Sequence, residues 1–220
     1  MKDIFSFFKD SIFNPKKFFK KIKKEQSMNK ALSYFVLLTL IALLFSTFRY
    51  LDNLNVFFGF LSKEVGLTLF DIQIPVTWFT FLVFHLSLVF LTVIFSFARF
   101  YFVHVFVYLF NNKAQYKDTY KALSYSVGPA YAGIPFFIAG VVFLAISRDL
   151  GFVIAAILMF LIYTFFEIYA FYIRSKALAE VQNIGFWKSF FSIYVLSNLL
   201  MGFLTLVLMF LLISIAIIFI

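Results

Sequence analysis

The sequence predicts an all-α, polytopic membrane protein with five transmembrane helices. Hydrophobic residues make up 64% of the 220-residue chain and charged residues 13%, whereas soluble domains have roughly 45–50% apolar and about 25% charged residues. A chain with so few polar side chains cannot cover a globule with them, so most of its surface must face lipid. The apolar residues form long runs without the alternation of β-barrel strands, which predicts helical spans.

Five runs are each long enough to cross about 30 Å of hydrocarbon as a helix. They lie at about residues 31–50, 76–98, 127–147, 151–173 and 195–220. The second run continues after Arg99 as FYFVHVFVYLF, and one helix over 76–110 would be about 52 Å long, which exceeds the thickness of the hydrocarbon core. We therefore expect a span to residue 98 with an extension to residue 110 on the cytoplasmic face. Residues 31–220 then form the transmembrane domain, and residues 1–30 a basic cytoplasmic segment.

The orientation follows from the lysines and arginines of the short connections, which favour the cytoplasmic side. Fifteen of the 19 lie in the N-terminal segment and in the loops 111–121 and 174–188, and three lie in the alternating connections. We expect a multi-pass cell-membrane protein with a cytoplasmic N-terminus and an external C-terminus. The net charge of +9 is accordingly interpreted as a topology signal and not as a nucleic-acid surface.

The basic segment has the pattern of an amphipathic helix on the membrane surface. Asn14 can cap a helix whose first turn contains Pro15, where the missing N–H costs nothing. The apolar side would hold Phe18, Phe19 and Ile22, and the lysines around it are Lys16, Lys17, Lys20, Lys21, Lys23 and Lys24. Such a helix lies in the interface with its lysines on anionic inner-leaflet headgroups. The alternative is that these lysines only fix the orientation; nucleic-acid binding is disfavoured because the first span follows closely.

Three polar residues lie within or beside the apolar runs: Arg99, His104 and Glu167. An unpaired charge in hydrocarbon costs several kcal/mol, so such residues are candidates for a functional role. We expect Arg99 and Glu167 to pair near the inner leaflet and to join the second span to the fourth. The alternatives are an arginine that reaches the headgroups alone and a proton or solute relay. His104 is expected to face other helices or headgroups.

The third run opens with two prolines among small residues, in the sequence SYSVGPAYAGIP. Pro129 and Pro135 are expected to kink this helix, because each proline frees a backbone carbonyl. The small residues between them would let a neighbouring helix approach closely. The alternative is a broken helix that lines a cavity, as in some transporters.

Catalytic and ligand-binding motifs are missing from the sequence. It contains no GxSxG, HExxH, P-loop or GxGxxG motif and no cysteine. The two histidines, His85 and His104, are not sufficient for a metal site, and His85 is expected to be a packed core residue. We therefore expect no enzyme activity, no cofactor and no metal ion.

Three segments resemble the Yip (Ypt/Rab-interacting protein) domain family in its prokaryotic form. They are NPKKFFKKIKKE at residues 14–25, YKDTYKALSYSVGPAYAGIPFF at 116–137 and YAFYIRSKALAEV at 169–181. The resemblance implies five spans and a cytoplasmic N-terminus. Eukaryotic members associate with Rab-type GTPases, form complexes with related proteins and act in vesicle traffic or membrane shaping. The short N-terminal region of this chain weakens the expectation of a GTPase partner, and no catalytic residue carries over.

Two functional hypotheses follow from these observations. The first is a non-enzymatic integral membrane protein that organises the membrane or membrane-protein partners, with anionic inner-leaflet lipids and a second copy or other membrane proteins as partners. The alternative is a small-solute or lipid permease that uses a polar cavity near Arg99 and Glu167. A polar cavity between the second, third and fourth spans would favour transport, and tight packing there would favour the organising role.

Overall fold

The computed structural model describes residues 2–47, 78–146 and 149–203, and these are almost entirely helical with no strand among them. The predicted all-α class is thus confirmed. The helices are α1 (Lys2–Phe13), α2 (Pro15–Lys24), α3 (Met28–Thr47), α4 (Trp78–Phe110), α5 (Tyr116–Tyr125), α6 (Gly128–Ile146), α7 (Leu150–Gln182) and α8 (Phe186–Phe190), followed by a π-helical turn, Phe191–Leu196.

Three helical stretches are long and apolar enough to cross a membrane: Leu86–Phe110, Tyr116–Leu144 and Leu150–Gln182. A shorter apolar helix covers Met28–Leu43. A polytopic membrane protein is therefore confirmed, whereas the number of five spans stays a prediction. The predicted span 195–220 falls largely on residues 204–220, which lie outside the described part of the chain, as do the ends of the first two spans around residues 48–77.

Helix α4 continues without interruption through Arg99. Its 33 residues correspond to a length of about 50 Å. The extension to residue 110 is thus part of the same helix, since no glycine or proline occurs anywhere between Trp78 and Phe110. Helix α7 also has 33 residues and ends at Gln182, beyond the predicted boundary at residue 173.

The chain divides into two compact units. The first contains residues 1–34, 95–129 and 168–220, and the second contains residues 35–94 and 130–167. In the first unit α1 and α2 form a hairpin that packs on α5. Its core is aromatic: the Phe7 ring stacks on Tyr125 at 4.1 Å between centroids, and Tyr34 lies 5.1 Å from Tyr125.

The second unit is built on close contact between α6 and α7. A Cβ atom added to Gly133 would lie 3.0 Å from Cβ of Phe166, and one added to Gly140 would lie 2.8 Å from the Phe160 ring. The Phe136 ring stacks on Phe166 at 5.6 Å. These glycines therefore let the aromatic residues of α7 rest on the backbone of α6, as small residues commonly do between membrane helices.

The two prolines of the third predicted span have different roles. Pro129 is the second residue of α6, where its missing N–H is one that a helix start leaves unpaired anyway. The kink at Pro129 stays a prediction: α5 ends at Tyr125, a turn covers residues 126–127, and Pro129 follows in the first turn of α6. Pro135 lies inside α6, which continues past it, and it removes the hydrogen bond to the Tyr131 carbonyl.

The π-helical turn interrupts the helix that follows Phe186. Three side chains there donate to main-chain carbonyls four residues earlier: Ser192 Oγ to Lys188 at 2.8 Å, Ser197 Oγ to Ile193 at 2.5 Å and Asn198 Nδ2 to Tyr194 at 2.8 Å. A π-turn widens the helix and weakens its regular bonding. Ser197 and Asn198 thus supply hydrogen bonds to carbonyls within the widened segment, and Ser192 supplies one to a carbonyl of α8.

Candidate functional site

The N-terminal hairpin begins with the predicted cap. Asn14 accepts a hydrogen bond from the Lys17 amide at 3.3 Å, and Pro15 occupies the first turn of α2. The predicted start of a helix at Asn14 and Pro15 is thus confirmed. Helix α2 ends at Lys24, and only residues 25–27 separate it from α3. The hairpin is therefore joined closely to the first apolar helix.

An acidic residue fastens α1 to α2. Asp10 is buried and forms ion pairs with Lys21 and with Lys17, the latter at 3.6 Å, while Lys21 also donates to Ser6. Burial opposes ionisation of the Asp10 carboxyl, but its hydrogen bond to Lys21 and the charges of Lys21 and Lys17 outweigh burial, so its pKa is lowered. The ion pairs of Asp10 with Lys17 and Lys21 thus hold α1 against α2.

The exposed side chains of the hairpin differ in part from the predicted surface. Phe18 and Ile22 are fully buried against neighbouring protein, and Phe19 is half-buried. Lys16, Lys17, Lys20, Lys23 and Lys24 are exposed, and Lys21 is half-buried. The most exposed apolar side chains of the hairpin are Phe5, at 70%, and Phe13, at 77%. Packing on α5 takes up the apolar side of α2, so the apolar surface that remains belongs to α1.

Lys121 connects the hairpin to α5. Its side chain is 4% exposed, donates to the Glu25 carbonyl at 2.6 Å and lies 2.7 Å from the Asp118 carboxylate. Lys121 is one of the lysines of the loop 111–121 that is predicted to be cytoplasmic. Its position one turn after Asp118 makes the ion pair possible, and the carbonyl of Glu25 supplies a second acceptor. Lys121 is thus a buried link between α5 and the end of α2.

A second polar cluster joins the ends of α4 and α7 to α5. Gln182 Nε2 donates to Thr119 Oγ1 and to the Gln115 carbonyl, both at 2.8 Å, and Asn111 Nδ2 donates to the Gln182 carbonyl at 2.7 Å. Thr119 Oγ1 also lies 3.1 Å from Nδ1 of His104. His104 is therefore part of a hydrogen-bond network, in agreement with the expectation that it faces other helices.

Arg99 and Glu167 belong to different units of the chain. Arg99 lies in the first unit, where its electrostatic neighbours are Arg174 and Tyr194. Glu167 lies in the second unit and interacts with Tyr163, one turn earlier in α7. Both side chains are half-buried. The ion pair between them stays a prediction.

Sequence reasoning missed Asp10, Thr119 and Gln182 as structural partners. Asp10 and Lys21 lie in different helices, so their pairing depends on how α1 folds back on α2 and not on a pattern within one helix. Thr119 lies in the segment 116–137, which resembles the family, and this resemblance was the one sequence signal that could have indicated a structural role for Thr119. Within residues 2–47, 78–146 and 149–203, no group of three metal-ligating side chains occurs. The side chain of His85 lies outside the described residues.

The chain matches the model of a known protein family. A family model described as the Yip1 domain matches residues 9–209. The matched range begins in α1 and includes α2, the Lys121 link and the Thr119–Gln182 network. No curated protein and no solved structure matches the chain.

Proposed function

The chain belongs to the Yip1 domain family, and from this premise we propose that it is a non-enzymatic integral membrane protein that organises the membrane or membrane-protein partners. The observation that carries the proposal is the contact between α6 and α7. Rings of α7 lie directly on Gly133 and Gly140, and Phe137 lies 5.2 Å from Tyr163. Such packing leaves little room for the polar passage that a permease needs between these two helices.

The outer side of α7 supports a role in lateral association. Exposed apolar side chains follow one another at helical spacing over about four turns: Ile154, Ile157, Leu158, Leu161, Phe165 and Ile168. They form a continuous stripe that is suited to acyl chains or to the helix of another membrane protein, including a second copy. Association between helices in lipid depends on packing and not on hydrophobic expulsion, so a smooth apolar stripe permits reversible contacts.

The orientation is part of the proposal. With a cytoplasmic N-terminus, the lysines of α2, the 111–115 loop and Lys188 would all face the cytoplasm of a cell-membrane protein. Reporter fusions at residue 120 and at the C-terminus should report cytoplasmic and external locations respectively. A cytoplasmic C-terminus would contradict the expected five spans.

The function can be tested in vesicles that contain the purified protein. Because the chain has no cysteine, Leu161→Cys provides a single labelling position on the stripe of α7. We expect energy transfer between labelled copies that persists on dilution with lipid, and solute permeability equal to that of protein-free vesicles. Val142→Cys, an exposed position on α6, is the matched labelling control. Saturable solute flux would overturn the proposal in favour of a permease.

A further inference from the structure

The exposed side of α1 has two phenylalanines in an otherwise polar setting. Phe5 and Phe13 lie eight residues apart, with the exposed Lys9 midway between them. Residues at intervals of four lie on one side of a helix, so the three side chains form a stripe. Large apolar side chains this exposed, outside the long apolar helices, indicate a surface that contacts something other than water.

The exposed side of α2 is cationic. Lys16, Lys20 and Lys24 also follow one another at intervals of four, and all three are exposed because Phe18 and Ile22 point into the protein. Within the described part of the chain, no carboxylate lies within ion-pair distance of these three lysines. The nearby acids are engaged elsewhere: Asp10 with Lys17 and Lys21, and Glu25 with Lys30 at 3.9 Å.

We propose that these two stripes, defined as the hairpin surface (Phe5, Lys9, Phe13, Lys16, Lys20 and Lys24), dock on anionic lipid headgroups. The phenylalanines of α1 enter the boundary between headgroups and acyl chains, and the lysines of α2 contact phosphates. Apolar and cationic side chains together are typical of interfacial helices. The proposal deepens the proposed function and rests on it only in requiring that the chain lies in a membrane.

The connection to α3 favours a membrane over other polyanions. Residues 25–27 are the whole linker between α2 and the first apolar helix, and Lys121 binds the carbonyl of Glu25 within that linker. A hairpin tied so closely to an apolar helix cannot move far from the bilayer that accepts this helix. Because Asp10 already fastens α1 to α2, the surface is formed before it meets lipid, and docking does not require helix formation.

The test uses the full chain in nanodiscs of phosphatidylcholine with and without phosphatidylglycerol. A fluorophore on Lys9→Cys is quenched by lipids that carry a spin label near the headgroup. We expect quenching to increase with phosphatidylglycerol and to decrease with salt. Lys16→Gln with Lys20→Gln should lower the ratio of docked to undocked protein roughly 30-fold, because each lysine near an anionic surface contributes about 1 kcal/mol.

Two further variants keep the test independent of folding defects. Lys113→Gln with Lys117→Gln removes the same charge from exposed positions outside the hairpin and should leave quenching unchanged. Phe5→Ser with Phe13→Ser should abolish shallow insertion while the lysines remain. Equal quenching without phosphatidylglycerol, an equal loss in the Lys113 and Lys117 variant, or displacement by an acidic peptide or RNA would each overturn the inference. If the unsubstituted protein does not dock in this test, while vesicles that contain it stay impermeable to solutes, the inference about the hairpin surface is overturned and the proposed function stands.

Discussion

Each of the two units of this chain is stabilised internally by a different kind of interaction. In the first unit, buried polar side chains link helix ends: Lys121 to Glu25 and Asp118, and Gln182 to Thr119. In the second unit, aromatic rings rest on Gly133 and Gly140. Hydrocarbon gives helices no hydrophobic reason to associate, so close approach must stabilise the second unit. Helix ends have unpaired main-chain groups that polar side chains can satisfy, as they do in the first.

The largest effect expected concerns the predicted pair of Arg99 and Glu167. Arg99 and Glu167 are predicted to pair, and removal of one member should cost about 3–5 kcal/mol because the other charge is left alone in apolar surroundings. The double change to leucine should cost less than either single change. Thermal unfolding of Arg99→Leu, Glu167→Leu and the double variant in detergent would measure this coupling. A double variant as damaged as the sum of the two singles would show that the residues do not interact.

Loss of the Lys121 link should be the next largest effect. Lys121→Met removes the charge from a buried position and leaves the Glu25 carbonyl and the Asp118 carboxylate without their donor. We expect the free energy of unfolding to fall by about 3 kcal/mol. Lys117→Met, an exposed lysine of the same helix, is the matched control and should change stability little. Equal stability of the two variants would mean that polar links do not hold the first unit together.

Overpacking the second unit should have a moderate effect. Gly140→Leu places atoms where the Phe160 ring already lies, and we expect destabilisation of about 2 kcal/mol. Gly151→Leu is a suitable control, because a Cβ atom there meets nothing within 4 Å. Unfolding in mixed micelles would compare the two variants. If both behave alike, the contact between α6 and α7 does not limit stability.

The smallest effect expected is the response of the hairpin to acid. The pKa of Asp10 is lowered from its ordinary value of 3.8, so its ion pairs contribute stability above that pH. This contribution should be lost as the pH falls below the ordinary value and through the folded-state pKa. Asp10→Asn should remove this pH dependence. The anisotropy of a fluorophore on Lys9→Cys would measure the loosening of the hairpin as the pH falls. If the Asp10→Asn variant showed the same acid transition, the effect would belong to another titratable group.

Sequence patterns predicted the structural features that depend on local residue spacing or on composition. The apolar runs predicted helices, and Asn14 with Pro15 predicted the start of α2. They did not reveal that Phe18 and Ile22 face protein, because an apolar side that packs on α5 has the same periodicity as one that faces lipid. The Asp10–Lys21 pair and the Thr119–Gln182 bond each join residues of two different helices, and a single sequence contains no record of such contacts.

The π-turn at Phe191–Leu196 carries the equivalent of one added residue in a helix. An α-helix turns by about 100° per residue, so the side chains from Ser197 to Phe203 are rotated relative to an uninterrupted continuation from Phe186. A helical wheel drawn from Phe186 therefore assigns the wrong side to Leu199 and Phe203, both of which are exposed. Deletion of one residue within the turn would restore a regular helix and leave the later side chains on the sides that they now occupy. Alignments and labelling experiments on this helix must therefore count its faces anew from Ser197.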